Sequence, residues 1–387
     1  MKAIPSQTHH WPAQQRVHPN ARVEIELPRE LERLQSKRVL VLSTNTLVGS
    51  DVLSRVQAAV GSRLSAVYGG ISAHTPAEQV AEVAHAITDC NADLVVAVGG
   101  GSVIDGGKAA CYAAWNRQFT RQAVLDGLPK GYAASDWDSE LPSPRLLAVP
   151  TTLSAAEFSS HAGVTDTVAG RKHVVLHPHM APKVVLLDPA STLETPAQLL
   201  LSSAIRALDH GVERWCSSHP SPFSDAVSLQ AIRMLREALP MIHANPKDLT
   251  ARSSAQVAAW LSVMGGWAGT PVGASHGLGY ILGAFRGVPH GITSCLMLPA
   301  VLQWNAAICA ERQSTLLEVF GPSSSAADGV REFIASMNLP TQLSQVGIHA
   351  DDFETIAAQY DGTGPIATNP RPVAGIADLK DILQLAR

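Results

Sequence analysis

The sequence predicts two domains, an α/β domain built on a parallel sheet followed by an all-α domain, and three observations carry this reading. Short apolar runs alternate with helical segments over the first half of the chain. Those runs stop near residue 190. Long stretches with helical spacing then continue to the end. Short runs with no polar face suit strands covered on both sides, as in a parallel sheet flanked by helices.

RVLVLS (38–43) is the first such run, and it ends in the polar STNT. A helical stretch follows at about 49–60. LSAVYGGI (64–71) reads as a second strand. PAEQVAEVAHAITDC (76–90) opens on a proline and keeps a spacing near 3.6, which is how a helix begins and continues. ADLVVAVGGG (92–101) is a strand that runs straight into three glycines. RLLAVPTT (145–152) and KVVLLDP (183–189) are further strands. Helices are expected at 196–216, 222–238, 250–268, 292–309, 327–337, 350–360 and 376–386. The division reads as a polar N-terminal arm over 1–20, an α/β domain over 21–190 and a helical domain over 191–387.

Of the 387 residues, 46% are hydrophobic and 16% charged, enough to bury a large core and too many for one small domain. The formal charge of −4 offers no basic excess for nucleic acid or an anionic membrane surface. Five cysteines without a CxxC pair read as reduced thiols of a cytoplasmic protein. The first twenty residues hold no apolar run of signal-peptide length, and no apolar stretch reaches about 18 residues, so no membrane span is expected.

The strongest local signal is VVAVGGGSVIDGGKAA (95–110). Glycines let a backbone approach a ligand closely, and the start of the next helix offers free amide donors and a positive dipole end. A plainer reading is also open: Ser102 caps that helix and Asp105, at its third position, completes a capping box. GGGSVIDGGK resembles the GGGSxxDxxK signature of the iron-containing alcohol dehydrogenases. The resemblance implies a dinucleotide held at Gly99, Gly100, Gly101 and Ser102, with Asp105 and Lys108 close by. VPTTLSAAEF (149–158) is similar to the PTT…SE loop of that superfamily, in the short form of its maleylacetate reductases. It implies that Thr151 and Thr152 face the cofactor, with Ala156 in place of a serine and Glu157 at the acidic position. Thr44, in LSTNT, aligns with the acid that binds the ribose 2′-hydroxyl of NAD and repels a 2′-phosphate. With neither acid nor arginine in that turn, both NADH and NADPH are expected. Asn45 and Lys172 complete the expected cofactor contacts.

SAIRALDHGVERW and ASHGLGYILGAFRGVPHG (274–291) resemble the metal-site segments of the same superfamily. There, one helix supplies an aspartate and a histidine at i and i+4, and two more histidines fourteen residues apart complete the set. Here His210, His276 and His290 match. The aspartate position is Arg206, which has no lone pair to give a cation. Asp209 is expected to face elsewhere, since it lies about 100° around the helix from His210. Tyr280 stands where the pattern has its inner histidine, either as a proton donor or as a packing aromatic. The remaining histidines read as structural or solvent-facing. ATNPRPV (367–373) resembles the end of many maleylacetate reductases.

The resemblance therefore implies the dehydroquinate synthase-like fold of the iron-type alcohol dehydrogenases. Its α/β domain would be the dinucleotide-binding one. The activity implied is a maleylacetate reductase-like hydride transfer from NADH or NADPH to a carbonyl or unsaturated acid, in aromatic compound catabolism. Arg206, His210, His276, Tyr280 and His290 would be the catalytic residues, and a metal is expected to be absent. The partners expected are an anionic small molecule and a second copy of the chain. Three alternatives stay open. One is an alcohol dehydrogenase keeping Fe or Zn on its three histidines. The others are a catalytically altered binding member and a lyase-type relative of dehydroquinate synthase.

Overall fold

The computed structural model describes Trp11, residues 13–129 and residues 142–387. The chain divides into two compact units, Trp11–Thr195 and Pro196–Arg387. The division falls at Thr195 rather than near 190, because the segment after the last strand stays tied to the first unit. Asp188 caps the turn Pro189–Thr192 by accepting from Ala190 N, and Thr195 Oγ1 donates to the Thr151 carbonyl at 2.7 Å.

The first unit carries eight described strands: β1 (Arg16–Pro19), β2 (Val39–Leu42), β3 (Leu64–Tyr68), β4 (Leu94–Gly99), β5 (Arg145–Pro150), β6 (His161–Asp166), β7 (Arg171–Leu176) and β8 (Val184–Leu187). Six form a parallel sheet in the order β1-β8-β5-β4-β2-β3, and β6 and β7 make a separate antiparallel hairpin. Its helices are α1 (Val23–Arg33), α2 (Asp51–Val60), α3 (Ala77–Asp89), α4 (Gly101–Trp115) and α5 (Arg121–Asp126). Val39, Val41, Val96, Val98, Leu147 and Val149 pack on one face against Val23, Leu27, Leu31, Val52 and Val56 of α1 and α2. The intervening residues turn to the other face, as the two-residue period requires. There a Cβ on Gly107 of α4 would stand 2.8 Å from Leu146 and 3.3 Å from Leu42. Every residue of β2, β4, β5 and β8 is buried, which is why these runs read as continuously apolar.

Two expectations are corrected here. Residues 16–19 are not an arm but an edge strand, aligned with β8 from Arg16↔Val184 to Pro19↔Leu187. Its side chains are exposed or half-buried, so no apolar pattern announces it. Residues 1–10 and 12 of the expected arm lie outside the described residues. α1 and the β6–β7 hairpin were not among the expected elements, although α1 sets Val23, Leu27 and Leu31 one turn apart on its buried face. The capping box at Ser102 is absent: α4 starts at Gly101 behind Gly100, with no side-chain cap.

The second unit contains α6 (Ala197–Trp215), α7 (Pro222–Ala244), α8 (Leu249–Trp267), α9 (Ala274–Arg286), α10 (His290–Asn305), α11 (Ala310–Phe320), α12 (Ala326–Ala335), α13 (Phe353–Ala357) and α14 (Ile376–Leu385). Of the expected helix at 350–360, only α13 is α-helical, after a 3₁₀ turn at Ala350–Asp352. α10 is buried on all sides from Thr293 to Leu302, as befits a helix at the centre of a bundle. It packs against α6, α9, α12 and α14. Among the described residues, no helix is long and apolar enough to cross a membrane.

Candidate active site

The glycine run forms the turn from β4 into α4. Gly99 has φ +157°, and a Cβ there would lie 2.6 Å from Val103 Cγ2. A Cβ on Gly100 would meet Thr152 at 3.0 Å, and one on Gly101 would meet Ser154 at 3.1 Å. The turn therefore lies directly against the loop after β5, whose Thr151 N donates to Gly99 O at 3.0 Å. No side chain caps α4; Val103 N and Ile104 N donate to the Gly100 carbonyl at 3.0 and 3.2 Å.

Ser102 Oγ accepts from His74 N at 3.2 Å. Lys172 packs across the hairpin over Gly163, where a Cβ would sit 2.2 Å from its Cε. Asp105 has a different task from the one expected. It accepts from Gly163 N at 3.0 Å and from Lys108 Nζ at 3.2 Å. Lys108 is fully buried and also donates to the carbonyls of Ala156 at 2.5 Å and His161 at 2.7 Å. The pair braces α4 to the segment after β5. Glu157 is buried beside it, and burial pushes its pKa up to about 7.

Thr44 precedes a 3₁₀ turn at Asn45–Leu47, at the end of β2. Asn45 lines a pocket of about 610 Å³ with Val48, Gln57, Tyr68 and Gly70, and none of the described residues lining it is charged.

In the helical unit, three helices bring polar side chains to one place. α6 supplies Arg206, Asp209, His210 and Glu213. The first turns of α9 supply Ser275, His276 and Tyr280, and the start of α10 supplies His290 and Ser294. The approach is close: a Cβ on Gly291 would stand 2.6 Å from the Ser202 carbonyl. Glu213 is the organiser. Its carboxylate accepts from Gly273 N and Ser275 N at 2.7 Å each and from His276 N at 3.4 Å, and it lies 2.7 Å from His276 Nδ1. It thus caps α9 and holds the imidazole ring together. Burial and Asp209 push its pKa up, and the backbone donors oppose them. The three backbone partners can only donate, so the carboxylate form is the one these surroundings complete. The partner nitrogen of His276 is then Nδ1–H, assigned from this network. Its Nε2 is buried without a hydrogen-bond partner, as is His210 Nδ1. Burial first, and then Arg206 and Arg214, hold both imidazoles well below the usual histidine range, so they are neutral at pH 7.

Asp209 corrects the sequence expectation: it is buried in this cluster, because α6 is enclosed by α9 and α10 on that side too. Its Oδ2 accepts from Ser275 Oγ at 2.8 Å and Ser294 Oγ at 2.7 Å. Arg206 Nη1 donates to Ser294 Oγ at 3.2 Å and lies 3.8 Å from Asp209 Oδ2. The guanidinium carbon stands 5.4 Å from the centre of the Tyr280 ring. No residue among those described accepts from Arg206 Nε or Nη2, or bonds the Tyr280 hydroxyl. Tyr280 is 40% exposed, so it is not a core aromatic. Tyr280 and His290 face each other edge-on at 6.1 Å, and His210 and His276 lie 4.6 Å apart between ring centres.

All five expected catalytic residues thus meet in the helical unit. Glu213, Ser275 and Ser294 were not expected as site residues, and Asp209 was expected to face away. The only signal for Glu213 was its place one turn after His210.

Residues 15–189 match the iron-containing alcohol dehydrogenase family, and residues 200–386 match the C-terminal part of the same family. The chain is 31% identical to a maleylacetate reductase of Burkholderia cepacia, covering 90% of this chain and 88% of that protein. It is 27% identical to the lactaldehyde reductase of Escherichia coli, covering 92% and 93%. The solved sulfoacetaldehyde reductase of Bifidobacterium kashiwanohense, in complex with NAD+, superimposes with a TM-score of 0.85 at 19% identity, covering 98% of both chains.

Proposed function

The chain belongs to the iron-containing alcohol dehydrogenase family of oxidoreductases, and from that premise we propose a metal-independent reduction of a carboxylated carbonyl or unsaturated compound by NADH or NADPH. The pyrophosphate is received by Gly99–Gly101 and the uncapped start of α4, where amide donors and the helix dipole favour an anion. The uncharged pocket beside Asn45 neither repels nor selects a 2′-phosphate, which supports use of both cofactors.

One observation carries the substrate reading. Arg206 is buried, anchored by Ser294 and Asp209, and keeps its Nε and Nη2 donors without protein acceptors. That is the half of a guanidinium that grips a carboxylate bidentately. It also supplies the positive charge that hydride addition needs near the developing oxyanion. The proton comes from Tyr280, whose hydroxyl has no protein partner and whose ring lies beside the guanidinium. His276, held as its Nδ1–H tautomer, offers only a lone pair and serves as an acceptor in the reverse direction.

The residues do not fit the family's divalent metal. A guanidinium occupies the carboxylate position, and Glu213 spends its oxygens on backbone donors. Asp209, Glu213 and His276 do converge, with one possible ligand atom from each lying within 4.8 Å of the others. The hydroxyl protons of Ser275 and Ser294 already point at Asp209, and Arg206 supplies its countercharge. A second reading keeps a metal on the imidazoles, and the partnerless His276 Nε2 and His210 Nδ1 favour it.

Steady-state kinetics of Arg206→Ala test the first reading. Loss of a buried charge-assisted contact costs on the order of 2–5 kcal/mol, or about 30- to several-thousand-fold in kcat/KM. Fluorescence titration should find NADH affinity unchanged. A kcat/KM within about twofold of wild type would place Arg206 outside the reaction. One equivalent of Fe or Zn per purified chain would favour the second reading.

A further inference from the structure

We propose that Cys216 and Cys309 are an oxidation site of the helical unit, a thiol pair that closes reversibly to a disulfide. Cys216 caps the C-terminus of α6 and Cys309 precedes α11, 93 residues further along the chain. The fold nevertheless brings them together. The Cys309 thiol donates to the Cys216 backbone carbonyl, with Sγ 3.4 Å from the oxygen. A thiol in contact with its partner's backbone lies within side-chain reach of that partner's sulfur, whereas most cysteine pairs would need backbone movement.

The pair is also asymmetric, as an attacking and a resolving thiol are. The Cys216 thiol and the Arg312 guanidinium push the Cys309 thiol down, and Cys216 itself is pushed up. The more acidic thiol is the one present as the nucleophilic thiolate. Arg312 is held in place by a salt bridge to Asp225 at 2.8 Å and by stacking on Trp215 at 4.5 Å. Both cysteines are buried, yet both lie next to surface: Ile308 is 63% exposed, and Ser218 and His219 are exposed. Cys111 and Cys295 are also buried, but the charged groups that act on them are Arg145 and Asp209 rather than another thiol. Cys216 further borders a small cavity together with Glu213, so the modified sulfur would abut the side chain that supports His276.

Hydrogen peroxide is the oxidant. The Cys309 thiolate attacks one peroxide oxygen, the O–O bond breaks, and the chain holds a sulfenic acid while hydroxide leaves and takes up a proton. The Cys216 sulfur then attacks the Cys309 sulfur and gives up its proton. The S–O bond breaks and a second water leaves. Two thiols lose two electrons, and one peroxide becomes two waters.

The purified full chain is exposed to stoichiometric peroxide, denatured under non-reducing conditions and digested. The expected result is loss of two of its five thiols, a cross-linked peptide joining Cys216 to Cys309, and recovery of all five with dithiothreitol. Cys216→Ser and Cys309→Ser should keep NADH-dependent activity and yield no such peptide. In Cys216→Ser the sulfenic acid on Cys309 should persist and react with dimedone. The proposal is overturned if Cys216 stays a free thiol in oxidised wild type while Cys309 passes to the sulfinic acid. It is equally overturned if oxidation falls on Cys90 or another pair.

Discussion

Arg206 stands where a lone-pair donor would bind a cation, and its neighbours have adjusted to the inversion. Asp209, one helical turn on, supplies the countercharge at 3.8 Å, and Ser294 bridges the two. Neither Arg206 nor Asp209 is an isolated substitution in energetic terms, because removing one leaves a buried charge unpaired. Arg206→Asp inverts the arrangement again. It adds a carboxylate to His210, His276 and His290 and removes the competing cation. The variant should gain Zn²⁺ or Fe²⁺ affinity measurable by calorimetry and lose activity towards carboxylated substrates. If it binds no metal while remaining folded, the three histidines do not converge as a ligand set.

Helix contacts rather than single side chains fix how closely these groups approach. α6 and α10 touch through Gly291, where any side chain would strike the Ser202 carbonyl at 2.6 Å, a backbone atom that cannot rotate away. Gly291→Ala should therefore shift α10, costing about 1–3 kcal/mol in urea unfolding. It should lower kcat more than NADH affinity, since it displaces His290 and Ser294. An alanine variant as stable and active as wild type would show that the helices have room to spare. The brace on α4 behaves differently with pH. Glu157 is raised to about 7 in the fold by burial, above the ordinary 4.5. A raised carboxyl binds more protons folded than unfolded, so its contribution is fully present below about pH 4.5 and is lost as pH rises through 7. The span is worth roughly 3 kcal/mol. Glu157→Gln should flatten that fall between pH 5 and 8 in equilibrium unfolding. An unchanged slope would mean that Lys108 keeps Glu157 ionised in the fold.

At the scale of the molecule, the proposed metal independence and dual cofactor use become statements about stability. A ligand that binds only the folded chain stabilises it by about 2.7 kcal/mol at a hundredfold excess over Kd. NADH and NADPH should each raise Tm by similar amounts, because the Asn45 pocket holds no charge to distinguish them. EDTA should leave Tm and turnover where they were. A Tm lowered by the chelator would reveal a structural ion, and a shift with NADH alone would point to a residue that excludes the 2′-phosphate.

What was legible in the sequence was whatever repeats locally. β2, β4, β5 and β8 are buried on both faces and so are written as unbroken apolar runs, and Gly99–Gly101 mark a turn that only glycine tolerates. The spacing of His276 and His290 and the oddity of Arg206 were readable through the resemblance to the family's metal-site segments. β1 was not, because an edge strand borrows its hydrogen bonds from β8 and leaves its own side chains half in solvent. The direction of Asp209 depended on tertiary structure. A helical wheel assigns it an angle but not the neighbours on that side, and here α9 and α10 enclose it. Glu213 and the Cys216–Cys309 contact were likewise beyond sequence reasoning. Their partners lie about sixty and ninety residues away along the chain, and packing alone brings them within hydrogen-bond reach.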